Sequence, residues 1–229
     1  MEKIGSKELI EYLSILHNDA KCALIYNNDY ELLVSIILSA QAKDEVVNSV
    51  TPILFSKYKN IEELSNAEIE DVEQIIHQVG LSHAKAKNII NAMKKLKELG
   101  YDIIPNDFNI LINLDGVGRK TANVFLSEYY NENTLGIDTH ILRISKRLNL
   151  IEEKSDALKA ELILRDYFKD YSLKRVHHLL IAFGRLECNA KKPLCGACKI
   201  KEKCKMGSIW TLFYFIFLKI FIKLLLLDF

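Results

Sequence analysis

Four of the five cysteines crowd into one short stretch as Cys188, Cys195, Cys198 and Cys204, spaced C-x6-C-x2-C-x5-C. Four thiolates held so close enclose a single metal centre, and the spacing admits either Zn2+ or an iron–sulfur cluster. Disulfide pairing is the weaker alternative. Met1–Ile10 carries no apolar run of the kind that opens a secretory signal, so a reducing, cytoplasmic setting is expected, where clustered cysteines more often bind metal. Cys22 stands apart in the N-terminal half and reads as a small buried apolar side chain.

A second group with chemical potential is Leu114-Asp115-Gly116-Val117-Gly118-Arg119-Lys120-Thr121-Ala122. Two glycines one residue apart, between two short helical patterns, make a tight hairpin in which backbone comes close to a neighbour. The N–H groups opening the second helix, with its dipole, form an anion site suited to a phosphodiester, a contact that carries no base information. The bland alternative is a plain helix–helix turn. Lys120 falls on the first turn of that second helix, where a cation is electrostatically disfavoured. A neutral amine there would attack an electrophilic sugar carbon and form a Schiff base; the alternative is an ordinary exposed lysine. In Gly136-Ile137-Asp138-Thr139-His140, Asp138 precedes an apolar-periodic helix and reads as its N-cap. A carboxylate so held also stabilises positive charge at a sugar or activates a nucleophile. His140 is a candidate DNA contact, although a lone histidine is more often structural.

These groups need a scaffold, and the chain supplies one made of helices. Its 229 residues are 49% hydrophobic and 27% charged, enough for a core and a solvated exterior, which excludes a disordered chain. Nine glycines, three prolines and little period-2 alternation exclude a β-sandwich or barrel. Helices are expected over Asp29–Ser39, capped by Asn28 with Glu31 three residues on, and from Asp44 to Tyr58, with Pro52 kinking or shortening it. Further helices are expected from the capping box Ser65-Asn66-Ala67-Glu68 to near Gly80, from Ser82 to a C-terminal cap at Gly100, and from Asp107 to Asp115-Gly116. The remainder are expected from about Arg119 to Tyr130 and over Asp138–Leu148, Ser155–Phe168 and Ser172–Glu187.

Net charge is only +1, but Arg185–Lys205 holds seven basic and two acidic residues, a net of +5, which leaves the remainder at −4. A basic patch on a mildly acidic body suits a polyanion binder. The segment Ile209–Leu227 is almost wholly apolar, broken by Thr211, Lys219 and Lys223. It is long enough for a membrane span, its two lysines share a helical face as in an interfacial helix, and its composition is also that of an AT-rich stretch translated in the wrong frame.

Taken together and in order, the hairpin, Lys120, Asp138-Thr139-His140 and the cysteine spacing resemble the endonuclease III family, the bifunctional DNA glycosylase/AP lyases of the helix-hairpin-helix superfamily. Gly116-Val117-Gly118-Arg119-Lys120-Thr121-Ala122-Asn123-Val124 and Leu38-Ser39-Ala40-Gln41 carry the likeness further, and it covers nearly the whole chain except the apolar tail. The resemblance implies an all-α, two-domain helix-hairpin-helix DNA glycosylase fold with a C-terminal cluster loop. Residues 20–132 would form a helical barrel domain with the helix-hairpin-helix at about 106–130. Residues 1–19 plus 133–206 would form the second domain, with the cluster at 188–204, leaving 207–229 as the atypical tail.

The resemblance also implies roles. Cys188, Cys195, Cys198 and Cys204 would hold a [4Fe-4S] cluster of structural purpose, and Lys120 and Asp138 would be catalytic. Gln41 would fill the gap left by a flipped nucleotide, and Leu81, in Val79-Gly80-Leu81, would wedge from the other side. Gly116, Val117, Gly118, Arg119, His140, Lys191 and Lys192 would contact DNA. The expected partner is double-stranded DNA with damaged pyrimidines or abasic sites, met by a monomer in the nucleoid. The chain departs from the pattern at Asp115, where the family usually has proline; a carboxylate near a phosphate is repulsive. Rival readings are an adenine-specific mismatch glycosylase, which generally lacks a lysine here, a thymine mismatch glycosylase on a like scaffold, a non-catalytic DNA-binding module with a zinc knot, and an electron-transfer protein.

Overall fold

The computed structural model describes residues 3–207, so the expectations for the apolar tail beyond them lie outside the described residues. All regular structure among those residues is helical: α1 (Ser6–Leu16), α2 (Asp29–Leu38), α3 (Asp44–Lys57), α4 (Ile61–Ser65), α5 (Ile69–Ile75), α6 (Ser82–Glu98), α7 (Phe108–Leu111), α8 (Arg119–Tyr129), α9 (Thr139–Arg147), α10 (Ala157–Tyr167), α11 (Leu173–Leu186) and a 3-10 turn at Lys201–Lys203. No helix among them is long and apolar enough to cross a membrane.

Short polar side chains start most of these helices by accepting a first-turn N–H. Asn28, Asn60, Asp107, Asp138, Asp156 and Ser172 do so for α2, α4, α7, α9, α10 and α11. Two sequence expectations fail here. Ser65 does not open a helix; it closes α4, its hydroxyl donating to the Glu62 carbonyl at 2.7 Å. The competing box lies earlier: Asn60 accepts from the Glu63 N–H at 2.8 Å, and Glu63 accepts from the Lys59 N–H at 2.7 Å. The helix from Asp107 stops at Leu111, because Asn113 and Leu114 donate to Ile110 and Leu111, three residues back, and tighten the chain into turns. Pro52 lies inside α3 without ending it.

The chain divides into two compact units: Cys22–Gly136, and the described residues up to Lys21 together with those from Ile137 onward. The second division falls four residues later than expected at 132. Residues 133–136 are tied back to α8, since Asn123 Nδ2 donates to the Leu135 carbonyl at 3.4 Å and the Thr134 hydroxyl donates to the Asn123 carbonyl at 2.7 Å.

In the hairpin-bearing unit, α2 is buried along its whole length, with α3, α6 and α8 packed around it. Leu32, Leu33, Ile37, Ile89, Met93 and Phe125 lie in its core. In the cysteine-bearing unit, α11 packs on α1 and α9, and α10 packs on α9. Leu9, Leu13, Ile141, Ile144, Leu180 and Phe183 are buried there.

Candidate functional site

The hairpin forms where α7 and α8 meet. Gly116 takes φ +77°, and a Cβ on it would stand 3.0 Å from Asn88 Cβ and 3.1 Å from Ile37 Cγ2. Both the left-handed backbone and the close approach therefore require glycine. Leu114 and Val117 point into the core, and the Val117 N–H donates to the Leu114 carbonyl at 3.1 Å. Gly118 is the N-cap of α8 and has no side chain to cap it, and the positive end of the helix dipole at that first turn favours an anion. Arg119 stacks its guanidinium over the Phe108 ring at 4.8 Å, joining the two helix ends. Asp115 is exposed and its Oδ2 accepts from Asn91 Nδ2 on α6 at 2.8 Å.

Lys120 is exposed on the first turn of α8. Its backbone carbonyl faces Gly136, where a Cβ would come within 3.1 Å of that oxygen and collide with Val124 Cγ2. Gly136 is a residue that sequence reasoning missed, and it lies two positions before Asp138 in the chain. Gln41 and Leu81 are both exposed and both adopt left-handed backbone, φ 56° and 62°. The other described non-glycine residues with positive φ are Asn131 and Asn149, a residue type that tolerates it.

In the cysteine-bearing unit, half-buried Asp138 caps α9, its Oδ1 accepting from the Ile141 N–H at 2.8 Å. His140 is turned inward rather than standing free. Its Nδ1 accepts from Arg143 Nη2 at 3.1 Å, and it packs so tightly on α11 that a Cβ on Gly184 would meet His140 Cβ at 2.8 Å. Lys191 and Lys192 are exposed on the cysteine loop, which an N–H···Oδ1 bond from Lys192 to Asn189 at 2.7 Å helps to fold.

All four clustered cysteines carry no disulfide and line one cavity of about 400 Å³, open mouth included. Among the described residues no group of three or more His, Cys, Asp or Glu is arranged to hold a metal ion. Four thiols sharing one cavity are a donor set that fits a thiolate-bound metal centre. Burial, and then the neighbouring thiols, push the Cys195 thiol up; burial does the same to Cys198. Forming thiolates here thus calls for a positive centre between them.

The support of this loop was also invisible in the sequence. Arg143 and Arg147, one turn apart on α9, both donate to the Cys188 carbonyl, at 3.0 and 3.1 Å. Arg147 Nη1 also reaches Cys188 Sγ at 3.2 Å and the Asn189 carbonyl at 2.8 Å. From α1, the Tyr12 hydroxyl accepts the Lys199 N–H at 3.3 Å and Glu8 pairs with Lys203 at 2.7 Å.

An all-helical chain with a glycine hairpin opening α8 and a four-cysteine loop after α11 defines the helix-hairpin-helix class. Residues 34–170 match the model of the HhH-GPD superfamily of base excision DNA repair proteins. Endonuclease III of Rickettsia felis is 40% identical over 86% of this chain and 92% of its own. Endonuclease III of Bacillus subtilis is 39% identical over 82% of this chain and 86% of its own. Among solved structures, a trapped endonuclease III–DNA covalent intermediate has a TM-score of 0.85 at 34% identity, covering 90% of this chain and 96% of that one. A thermostable thymine-DNA glycosylase shares the fold, with a TM-score of 0.79 at 16% identity. The chain belongs to the HhH-GPD superfamily and, within it, to the endonuclease III family. It is an enzyme of base excision DNA repair.

Proposed function

We propose that this enzyme removes oxidised pyrimidines from duplex DNA and then cuts the abasic strand by β-elimination through a Schiff base on Lys120. The observation that carries this is the exposed amine of Lys120 on the first turn of α8, directly after the Gly116–Gly118 hairpin. A phosphodiester bound at the hairpin N–H groups sets the adjoining sugar beside that amine. The likeness to a trapped covalent endonuclease III–DNA intermediate supports the same chemistry.

The damaged nucleotide leaves the stack, since its reacting carbon is inaccessible there, at a cost of a few kcal/mol that is smallest for a poorly stacked base. Gln41 and Leu81 occupy the vacated space. Lys120 Nζ attacks C1′, and the bond from C1′ to the base breaks with its electron pair leaving on the base, which takes up a proton. The amine loses a proton and the C1′–O4′ bond opens, its electron pair leaving on O4′, which takes up a proton to become a hydroxyl, and the iminium results. A proton is then lost from C2′, and the electrons expel the 3′ phosphate; water finally releases Lys120. Asp138, at the N-terminus of α9, stabilises the positive charge developing on the sugar or carries one of these protons.

Cys188, Cys195, Cys198 and Cys204 would hold a [4Fe-4S] cluster. Its four iron–thiolate bonds would tie down the loop carrying Lys191 and Lys192, whose charges meet phosphates. The enzyme acts as a monomer on nucleoid DNA in the cytoplasm. Borohydride reduction with an abasic duplex tests the central step. A covalent adduct is expected with the parent protein and none with Lys120→Ala. An undiminished adduct in the variant overturns the assignment of the nucleophile.

A further inference from the structure

The two side chains assigned to the vacated space stand on different segments, and one residue joins them. Lys85, on α6, is 5% exposed. Its ammonium donates to the Leu38 carbonyl at 2.9 Å and the Ala40 carbonyl at 2.5 Å. Leu38 is the last residue of α2 and Ala40 directly precedes Gln41. The backbone N–H of the same Lys85 donates to the carbonyl of Leu81 itself at 3.0 Å.

We propose that Lys85 is a positioning residue that locks Gln41 and Leu81 into one rigid pair, so that they enter the duplex together when a nucleotide is extruded. This rests on the gap-filling roles given to Gln41 and Leu81 above.

Three observations bear on it. One acceptor, the Leu38 carbonyl, closes α2, where the last carbonyls have no intrahelical donor and sit at the negative end of the helix dipole, and the other, of Ala40, lies two residues beyond it. A buried cation there caps α2 from another helix. Burial pushes the Lys85 ammonium down from its ordinary value, so the position is costly for a lysine and an apolar residue of similar length would fill it at less expense. Gln41 and Leu81 each hold a left-handed backbone, φ 56° and 62°, a conformation that persists only where the surroundings impose it. The Lys85 ammonium bonds the carbonyl one residue before Gln41, and Leu81 is the N-cap of the helix that carries it, its carbonyl taking the first backbone bond of α6, so the lysine side chain ties that helix start to the Gln41 segment. Farther along α6, Asn88 packs on Gly116 and Asn91 holds Asp115, so the same helix sets the wedge segments against the hairpin.

The test separates strand opening from chemistry. Borohydride trapping on a single-stranded abasic oligonucleotide needs no opening, whereas excision from a paired duplex does. Lys85→Met is expected to trap on the single strand as the parent does, while its duplex excision rate at saturation falls roughly tenfold to a hundredfold. It is also expected to weaken the fluorescence rise of 2-aminopurine placed opposite the lesion on binding. Lys85→Gln, which keeps an N–H donor, should fall between. Adding Lys85→Met to Gln41→Ala/Leu81→Ala should lower duplex excision no further. Equal loss on single strand and duplex, or a full additional loss in the triple variant, overturns the proposal. If the parent protein itself fails to trap, the Lys120 chemistry falls, and the aminopurine signal still decides the role of Lys85: an unchanged rise in Lys85→Met refutes it.

Discussion

Asn91 Nδ2 on α6 donates to Asp115 Oδ2 at 2.8 Å, which fastens the residue opening the hairpin to the long helix behind it. Where the family resemblance leads one to expect proline, a side-chain tether supplies the rigidity that a fixed φ would give. Unlike proline, however, it sets an acidic side chain beside the proposed phosphate site.

Asp115→Asn retains an acceptor for Asn91 and removes the charge. Duplex DNA should then bind more tightly by about 1 kcal/mol, roughly fivefold in Kd, at low salt. The gain should fade as salt screens the site. Asn91→Ala keeps the charge and loses the tether, so affinity should drop at every salt concentration. Fluorescence anisotropy titrations across a salt series measure both.

Gly136→Ala should destabilise the protein by overpacking alone, since it removes no hydrogen-bonding group. The new methyl would meet Val124 Cγ2 and the Lys120 carbonyl, and such overpacking costs about 1–3 kcal/mol. Tm should fall by about 2–4 °C for each kcal/mol. Because the strain falls on the turn that bears Lys120, borohydride trapping should weaken as well.

Lys191 and Lys192 are exposed on the cysteine loop. Replacing both with alanine should weaken binding to any duplex sequence alike. The slope of log K against log salt should decrease by about two, one for each lost phosphate contact. An unaltered slope would remove these lysines from the DNA-binding surface.

Alkaline stability should depend on Tyr167. Burial, and then the Glu8 carboxylate, push its phenol up to about 12, while its hydroxyl donates to the Ile4 carbonyl at 2.7 Å. An unfolded tyrosine ionises near pH 10. Between the two values the unfolded chain has released a proton that the folded one retains, so stability falls as pH rises from about 10 to 12. Tyr167→Phe should reduce that slope, while losing about 1 kcal/mol at neutral pH with the hydrogen bond. Melting curves from pH 7 to 11.5 check both effects.

The amino-acid order by itself determined the helical class, most helix starts and the groups with reactive chemistry. Caps such as Asn28, Asp138 and Ser172 act on N–H groups two or three residues away, and a cysteine spacing or a Gly-x-Gly hairpin is equally local, so each is legible in a short window. Ser65 shows where local reading stops, since a short helix opened by Asn60 runs up to it and the next begins only after Glu68. What tertiary structure alone decided is how distant segments constrain these groups. Lys85 reads as a surface lysine until α6 packs beneath the end of α2; Arg143 and Arg147 read as solvent-facing charges until the cysteine loop folds over α9; and Gly136 is unremarkable until its Cα meets the turn of Lys120. Each of these contacts joins residues separated by many positions, and burial, hydrogen bonding and excluded volume between them exist only once the chain has packed.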